Sequence, residues 1–267
     1  MNREQLYQKI QERKSFLCVG LDPDMDKIPP FLKNLENPIW AFNKAIIDAT
    51  KPYCVAYKPN FAFYEAYGKM GYEALEKTIH YIGNEHFIIA DAKRGDIGNT
   101  SKMYAKAAFE VLGADAITVA PYMGKDSVTP FLSYENKWII VLGLTSNKGS
   151  EDFQFIKSED YKPLYQQVIE KVASWTSPNN TMFVIGATHP ESFIEIRKLI
   201  PDHFLLVPGV GEQGGELESV IKYGRNNQIG LLINSSRGIL YASNEKDFDK
   251  QAAIQSKKIQ EIMAQYI

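Results

Sequence analysis

The run Asp91-Ala92-Lys93-Arg94-Gly95-Asp96 follows directly on the apolar stretch His86-Phe87-Ile88-Ile89-Ala90, so a carboxylate and an ammonium leave the end of what reads as a buried β-strand together. Side chains two apart on a strand point the same way, which puts Asp91 and Lys93 on one face at close range, with Asp96 following on the turn. Unpaired ions beside an apolar strand are costly or change their protonation state, so charges this close are expected to hold one another ionised. An ammonium fixed beside carboxylates can attract negative charge as it develops in a substrate and then deliver a proton. The competing reading is an ordinary strand-end ion pair, which uses the same spacing.

Short apolar runs alternating with amphipathic stretches supply the frame that would position these groups. Strands are predicted at 16–21, 53–58, 87–93, 116–120, 138–144, 182–187, 204–207 and 228–234. Helical patterns lie at 38–50, 100–112, 161–175, 190–200, 215–222 and 244–267. Gly113 is placed to end a helix, and Pro190 with Glu191 to open one. Eight βα units with no Gly-, Ser- or Pro-rich linker close most economically into a (β/α)8 TIM barrel, one domain over 1–267 with an extra N-terminal helix at 1–14. A doubly wound open sheet is the alternative.

Composition excludes several function classes. The chain has 267 residues, a length that suits one barrel, and a 45% apolar content that suits a large core. A net charge of −2 argues against a nucleic-acid surface, which carries a strong basic excess. Cys18 and Cys54 are too few for a disulfide framework and read as buried thiols. His80, His86, His189 and His203 lack the spacing or acidic partners of a metal site and read as structural. The segment Met1-Asn2-Arg3-Glu4-Gln5-Leu6 has no apolar signal region, and no run of about 18 apolar residues could span a membrane, so a cytoplasmic protein is expected.

In a barrel, active groups sit just past the carboxyl ends of the strands. The sequence fits that rule: polar clusters follow the first strand (Asp22, Asp24), the second (Lys58, Asn60), the third (Asp91, Lys93, Asp96), the fifth (Thr145 to Ser150), the seventh (Pro208 to Gly215) and the eighth (Asn234 to Gly238). Tyr122 and Met123, after the fourth, could line the pocket or simply pack at the rim. Gly209, Gly211, Gly214 and Gly215 would let backbone N–H groups approach an anion, and Arg237 offers a planar fork for a phosphate. A flexible turn and a surface cation are the plain alternatives. Together, at adjacent strand ends, the two features point to a phosphorylated ligand.

The segments Gly20-Leu21-Asp22-Pro23-Asp24, Tyr57-Lys58-Pro59-Asn60, Asp91-Ala92-Lys93-Arg94-Gly95-Asp96-Ile97-Gly98-Asn99-Thr100, Thr145-Ser146-Asn147, Pro208-Gly209-Val210-Gly211-Glu212-Gln213-Gly214-Gly215 and Asn234-Ser235-Ser236-Arg237-Gly238 together resemble the orotidine 5′-phosphate decarboxylase family. The similarity runs from Gly20 to about Ala242 and is greatest to the longer bacterial subfamily, type 2. It implies a (β/α)8 homodimer that converts orotidine 5′-monophosphate to UMP and carbon dioxide in de novo pyrimidine biosynthesis, with no metal and no organic cofactor. Carried over by motif, Lys93 would be the proton donor, and Lys58, Asp91 and Asp96 would complete an alternating charged array. Asp22 would contact the ribose, Ser146 the pyrimidine, and Gln213 with Arg237 the phosphate. Asp96 and Thr100 would be shared across the dimer interface. One departure from the family pattern is Lys148, where many relatives carry Pro, in the loop that holds Ser146.

Duller roles exist for each: Lys58 as a snorkelling lysine, Asp22 as a turn starter, Thr100 as a helix cap, Ser146 and Gln213 as loop residues. Three rival functions compete. A Schiff-base aldolase would use a strand-end lysine, but flanking carboxylates hold a lysine charged. A metal-dependent sugar-phosphate decarboxylase or aldolase of the same superfamily would place an acid where Lys58 stands. A phosphometabolite-binding module would need the phosphate loop but no row of charges.

Overall fold

A computed structural model describes residues 1–159, 161–188, 190–210 and 217–267. Each apolar run becomes one parallel strand: β1 (Leu17–Leu21), β2 (Ala56–Pro59), β3 (Phe87–Arg94), β4 (Ala116–Val119), β5 (Trp138–Leu144), β6 (Thr181–Ile185), β7 (Phe204–Pro208) and β8 (Leu231–Ser235). The strands pair in chain order, and β8 returns to β1 with Leu17 opposite Ile233 and Val19 opposite Ser235. That closure makes the (β/α)8 barrel and rules out the open sheet. β1 and β6 are buried along their whole length, because one face fills the barrel and the other meets helices.

The helices among the described residues are α1 (Arg3–Arg13), α2 (Pro38–Thr50), α3 (Ala62–Glu65), α4 (Gly68–Ile82), α5 (Gly98–Lys106), α6 (Leu164–Ala173), α7 (Ser192–Leu199), α8 (Leu217–Gly224), α9 (Arg237–Leu240) and α10 (Phe248–Met263). The extra helix α1 starts at a capping box in which Asn2 and Gln5 satisfy each other's backbone N–H groups, and it buries Leu6 and Ile10. Its Arg3 guanidinium reaches Gln228, the Pro178 carbonyl and the Asp202 carbonyl, tying together the segments that lead into β8, β6 and β7. The end of the barrel opposite the strand carboxyl termini is thereby closed.

Several boundaries differ from those predicted, each for a local reason. β2 begins at Ala56 rather than at 53, because the Tyr53 N–H turns back to the Thr50 carbonyl at the end of α2. β8 begins at Leu231 rather than at 228: Ile229 and Gly230 take φ of 65° and 63°, closing a turn onto Asn226. α6 starts at Leu164 instead of 161, since Tyr161 sits at φ 59° and Pro163 precedes the first turn. α7 starts at Ser192, two residues after Pro190. The last helix, predicted over 244–267, is α10 from Phe248 to Met263, followed by a tight 3-10 turn. Thr100 lies inside α5 and does not cap it; the capping position is Ile97, which makes no side-chain cap bond. That helix runs into a π turn at Ala107–Val111 and ends at Gly113, φ 77°, as expected. The pattern for α4 was missed. Gly68 and Gly71 dilute its helical signal, and Gly71 is needed where a Cβ would lie 1.9 Å from the Tyr64 carbonyl oxygen.

Two of the histidines are part of the core. Burial drives the His203 imidazole down to about 4, with Arg3 and Arg197 adding to the effect, and burial likewise drives His86 down to about 4. Both rings are therefore neutral in the folded protein. Each contributes stability that is present above the ordinary pKa of 6.5 and is lost as pH falls toward 4, up to about 3 kcal/mol per ring. Urea midpoints measured from pH 7 to pH 4 should fall across that window. His203→Phe, which removes two ring nitrogens that lack hydrogen-bond partners among the described residues, should flatten the decline.

Candidate active site

The charged residues converge at the carboxyl ends of β2 and β3. Lys58 Nζ donates to Asp91 Oδ2 at 2.6 Å, and Lys93 Nζ donates to Asp91 Oδ1 at 2.7 Å, so one carboxylate is shared by two ammoniums. Lys58 is only 5% exposed and Asp91 only 6%. Burial opposes both charges, pushing the Asp91 carboxyl up and the Lys58 ammonium down. The opposing attractions win: Lys58 and Lys93 hold Asp91 below the usual carboxylate range, while Asp91 and then Asp22 hold Lys58 above the usual lysine range. The snorkelling role for Lys58 is therefore excluded.

Asp91 and Lys93 do share a face, but a plain strand does not put them there. The pairing of β3 with β4 runs Ala90 to Ile117 and then Arg94 to Val119, so four steps on one strand match two on the other. This bulge carries Lys93 at φ 47°, a left-handed conformation that non-glycine residues seldom take. The Lys93 side chain remains 50% exposed, with its head tied to the buried acid.

Beside these groups opens a cavity of about 390 Å³, lined by Asp22, Lys58, Asp91, Ser146, Gly209 and Arg237, with Asn60, Asn234 and Ser236 among the others. A larger cleft of about 690 Å³ near Arg3 and Arg197 does not mark a competing site. Its three guanidiniums, of Arg3, Arg197 and Arg225, are engaged by backbone carbonyls such as those of Pro178, Gly224 and Tyr266.

Close packing shapes the rim of the smaller cavity. A Cβ at Gly20 would fall 1.8 Å from Ser236 Oγ, so only glycine lets the end of β8 sit against β1. At Gly186 a Cβ would come within 2.8 Å of the Ser146 backbone, and the missing side chain lets the loop after β5 turn Ser146 into the cavity. Asp22 Oδ1 and Asn234 Oδ1, on two residues that line the space, are buried without a hydrogen-bond partner among the described residues.

Asp96 and Thr100 are not brought to this cavity. Asp96 Oδ1 accepts from the Ile97 N–H at 2.7 Å, its carbonyl accepts from Ser101 Oγ, and Thr100 is exposed on α5. Within one chain the alternation of charge runs Asp22, Lys58, Asp91, Lys93, with Asp22 rather than Asp96 at its end. Tyr122 is 95% exposed and Met123 51%, and neither lines the pocket. Gln213 and most of the glycine-rich loop lie outside the described residues, as does His189.

The sequence pattern of the orotidine 5′-phosphate decarboxylase / HUMPS family matches residues 15–250. This chain belongs to that family. It is 58% identical over 263 residues to the orotidine 5′-phosphate decarboxylase of Phocaeicola vulgatus, covering 97% of each chain. It is 57% identical over 270 residues to that of Flavobacterium johnsoniae, covering 100% of this chain and 98% of the other. Among solved structures, the Leishmania donovani OMP decarboxylase superposes with a TM-score of 0.80 at 36% identity, over 96% of this chain and 98% of that one.

Two contributors in this family member escaped sequence reasoning. Tyr241 Oη donates to the Asp22 carbonyl at 2.7 Å and accepts from the Asp24 N–H at 2.8 Å, pinning the loop after β1 across the cavity mouth. Thr118, on β4, contacts both Asp91 and Lys93. Tyr241 gave no signal because it lies beyond the strand-end motifs, and Thr118 none because it stands inside an apolar strand.

Because Asp91 is a buried acid between two bases, its removal leaves the Lys58 ammonium without compensation. Asp91→Asn is expected to destabilise the fold by about 3 kcal/mol, and adding Lys58→Met to that variant should recover most of the loss. Chemical denaturation of the single and double variants checks both.

Proposed function

We infer that this chain catalyses the decarboxylation of orotidine 5′-monophosphate to UMP and carbon dioxide, as a carboxy-lyase that uses no cofactor. One observation carries the chemistry: a buried carboxylate that lines the same cavity as Arg237 is held between two ammoniums, Lys58 buried beside it and Lys93 half exposed. Loss of carbon dioxide from C6 leaves an electron pair in the plane of the pyrimidine, where the ring π system cannot spread it. Stabilisation must come from charge already in position. Lys93 supplies it, first as a fixed cation and then as the general acid that protonates C6. Asp91 holds and aims the Lys93 ammonium, and Lys58 keeps Asp91 ionised.

The rest of the cavity suits the rest of the nucleotide. Asp22, with one oxygen lacking a hydrogen-bond partner among the described residues, fits a ribose hydroxyl, Ser146 fits the pyrimidine edge, and Arg237 fits the phosphate, with Gln213 carried over by motif alone as its second partner. Phosphate binding at a distance from C6 would supply energy for ordering the site around the substrate. Lys58 argues against the sugar-phosphate relatives, because its ammonium occupies the strand end where they need an acid and would repel a divalent cation. The same carboxylate contacts count against a Schiff base, which requires a neutral amine.

A second copy of the chain completes the site in this reading, contributing Asp96 and Thr100. Two large apolar side chains of their segment are open, Ile97 at 49% and Met103 at 56%, and Tyr122 and Met123 after β4 are open as well. Such apolar exposure favours self-association. The whole of 1–267 acts as one catalytic domain, and two buried free thiols suit the reducing conditions of the cytoplasm. Among the described residues no helix is long and apolar enough to cross a membrane.

Purified protein with a chelator present should bleach the absorbance of orotidine 5′-monophosphate, and Lys93→Ala should abolish this while leaving the fold intact. A requirement for added magnesium would move the assignment to the sugar-phosphate relatives. Mixing Lys93→Ala with Asp96→Ala chains should restore about a quarter of the wild-type rate, since half of the dimers would be hybrids with one complete site each. No recovery despite subunit exchange would count against a shared site.

A further inference from the structure

We propose that Thr118 is a positioning residue for the decarboxylation, its hydroxyl locking the Asp91 carboxylate and the backbone of Lys93 into one geometry. The proposal rests on the reading of Lys93 as the proton donor. Thr118 is the one hydroxyl on β4, whose other residues are Ala116, Ile117 and Val119, and it is 1% exposed. A hydroxyl so placed must be satisfied inside the barrel, and it is satisfied twice by the charged centre. Thr118 Oγ1 donates to Asp91 Oδ1 at 3.1 Å, the oxygen that also takes the Lys93 ammonium, and accepts from the Lys93 N–H at 2.8 Å.

Both contacts matter for placement of the proton. The bulge removes Lys93 from the regular ladder, and the left-handed backbone at φ 47° has to be held by something other than strand pairing. The Thr118 hydroxyl provides that hold from the opposing strand. Its donated bond also fixes the rotation of the Asp91 carboxylate, which decides whether Oδ1 lies in line with Lys93 while Oδ2 serves Lys58. The hydroxyl is placed to set where the Lys93 ammonium stands relative to Asp91, which lines the cavity, and it does so without lining the cavity itself.

Thr118→Val keeps the shape of the side chain and removes the hydroxyl; Thr118→Ser keeps the hydroxyl and removes the methyl. The valine variant should lower kcat roughly ten- to a hundred-fold, the range for losing a hydrogen bond to a charged group, with KM changed less than about threefold. It should slow exchange of the C6 proton of UMP in heavy water by a similar factor, because by microscopic reversibility that exchange uses the same Lys93 proton. The serine variant should recover both rates. Wild-type rates in the valine variant, or a loss that appears in KM or in melting temperature and is equally large in the serine variant, would overturn the proposal. A wild-type chain that does not decarboxylate orotidine 5′-monophosphate would instead sink the underlying assignment.

Discussion

The site depends on a carboxylate kept ionised where an isolated ion could not be. Asp91 is buried, and the pair of ammoniums on its two oxygens, helped by the Thr118 hydroxyl, offsets the loss of water. The protein has spread this task over three strands: β2 supplies Lys58, β3 supplies Asp91 and Lys93, and β4 supplies the Thr118 hydroxyl. A closed barrel suits such a task, because each strand end is fixed by a neighbour on both sides. The charges are thereby held against the relaxation that would let them drift apart or exchange a proton.

Much of the frame was legible because burial on both faces of a parallel strand leaves a plain apolar run. The strand over 138–144 matches its predicted bounds, as does the helix Pro38–Thr50, which has Asn37 as its cap and Pro38 in its first turn. Legibility failed where the backbone leaves standard regions. Ile229 and Tyr161 take positive φ in turns closed by local backbone hydrogen bonds to Asn226 and Ser158, and nothing in either residue type announces that. The glycines of α4 hid a helix that packing against α2 and α3 supports.

The charged motif itself was plain, since acids and bases at alternate positions of an apolar strand have few other uses. What holds the motif was not. The bulge at Ala90 to Arg94 is a property of pairing with β4, and Thr118 becomes meaningful only once that register is known. Asp22 read as a sugar contact, and in the fold it also acts on Lys58 through space. Asp96 read as part of the array, and within a single chain it faces its own turn.

The left-handed backbone at Lys93 bears on how this enzyme can be changed. That conformation costs an ordinary residue on the order of 1 kcal/mol, a cost that glycine would avoid. Lysine stands there all the same, and its ammonium is one of the two that compensate the buried Asp91 carboxylate. Design procedures that score position 93 by backbone fit alone would favour glycine, and would strip Asp91 of one of its two cations along with the lysine proposed as the proton donor.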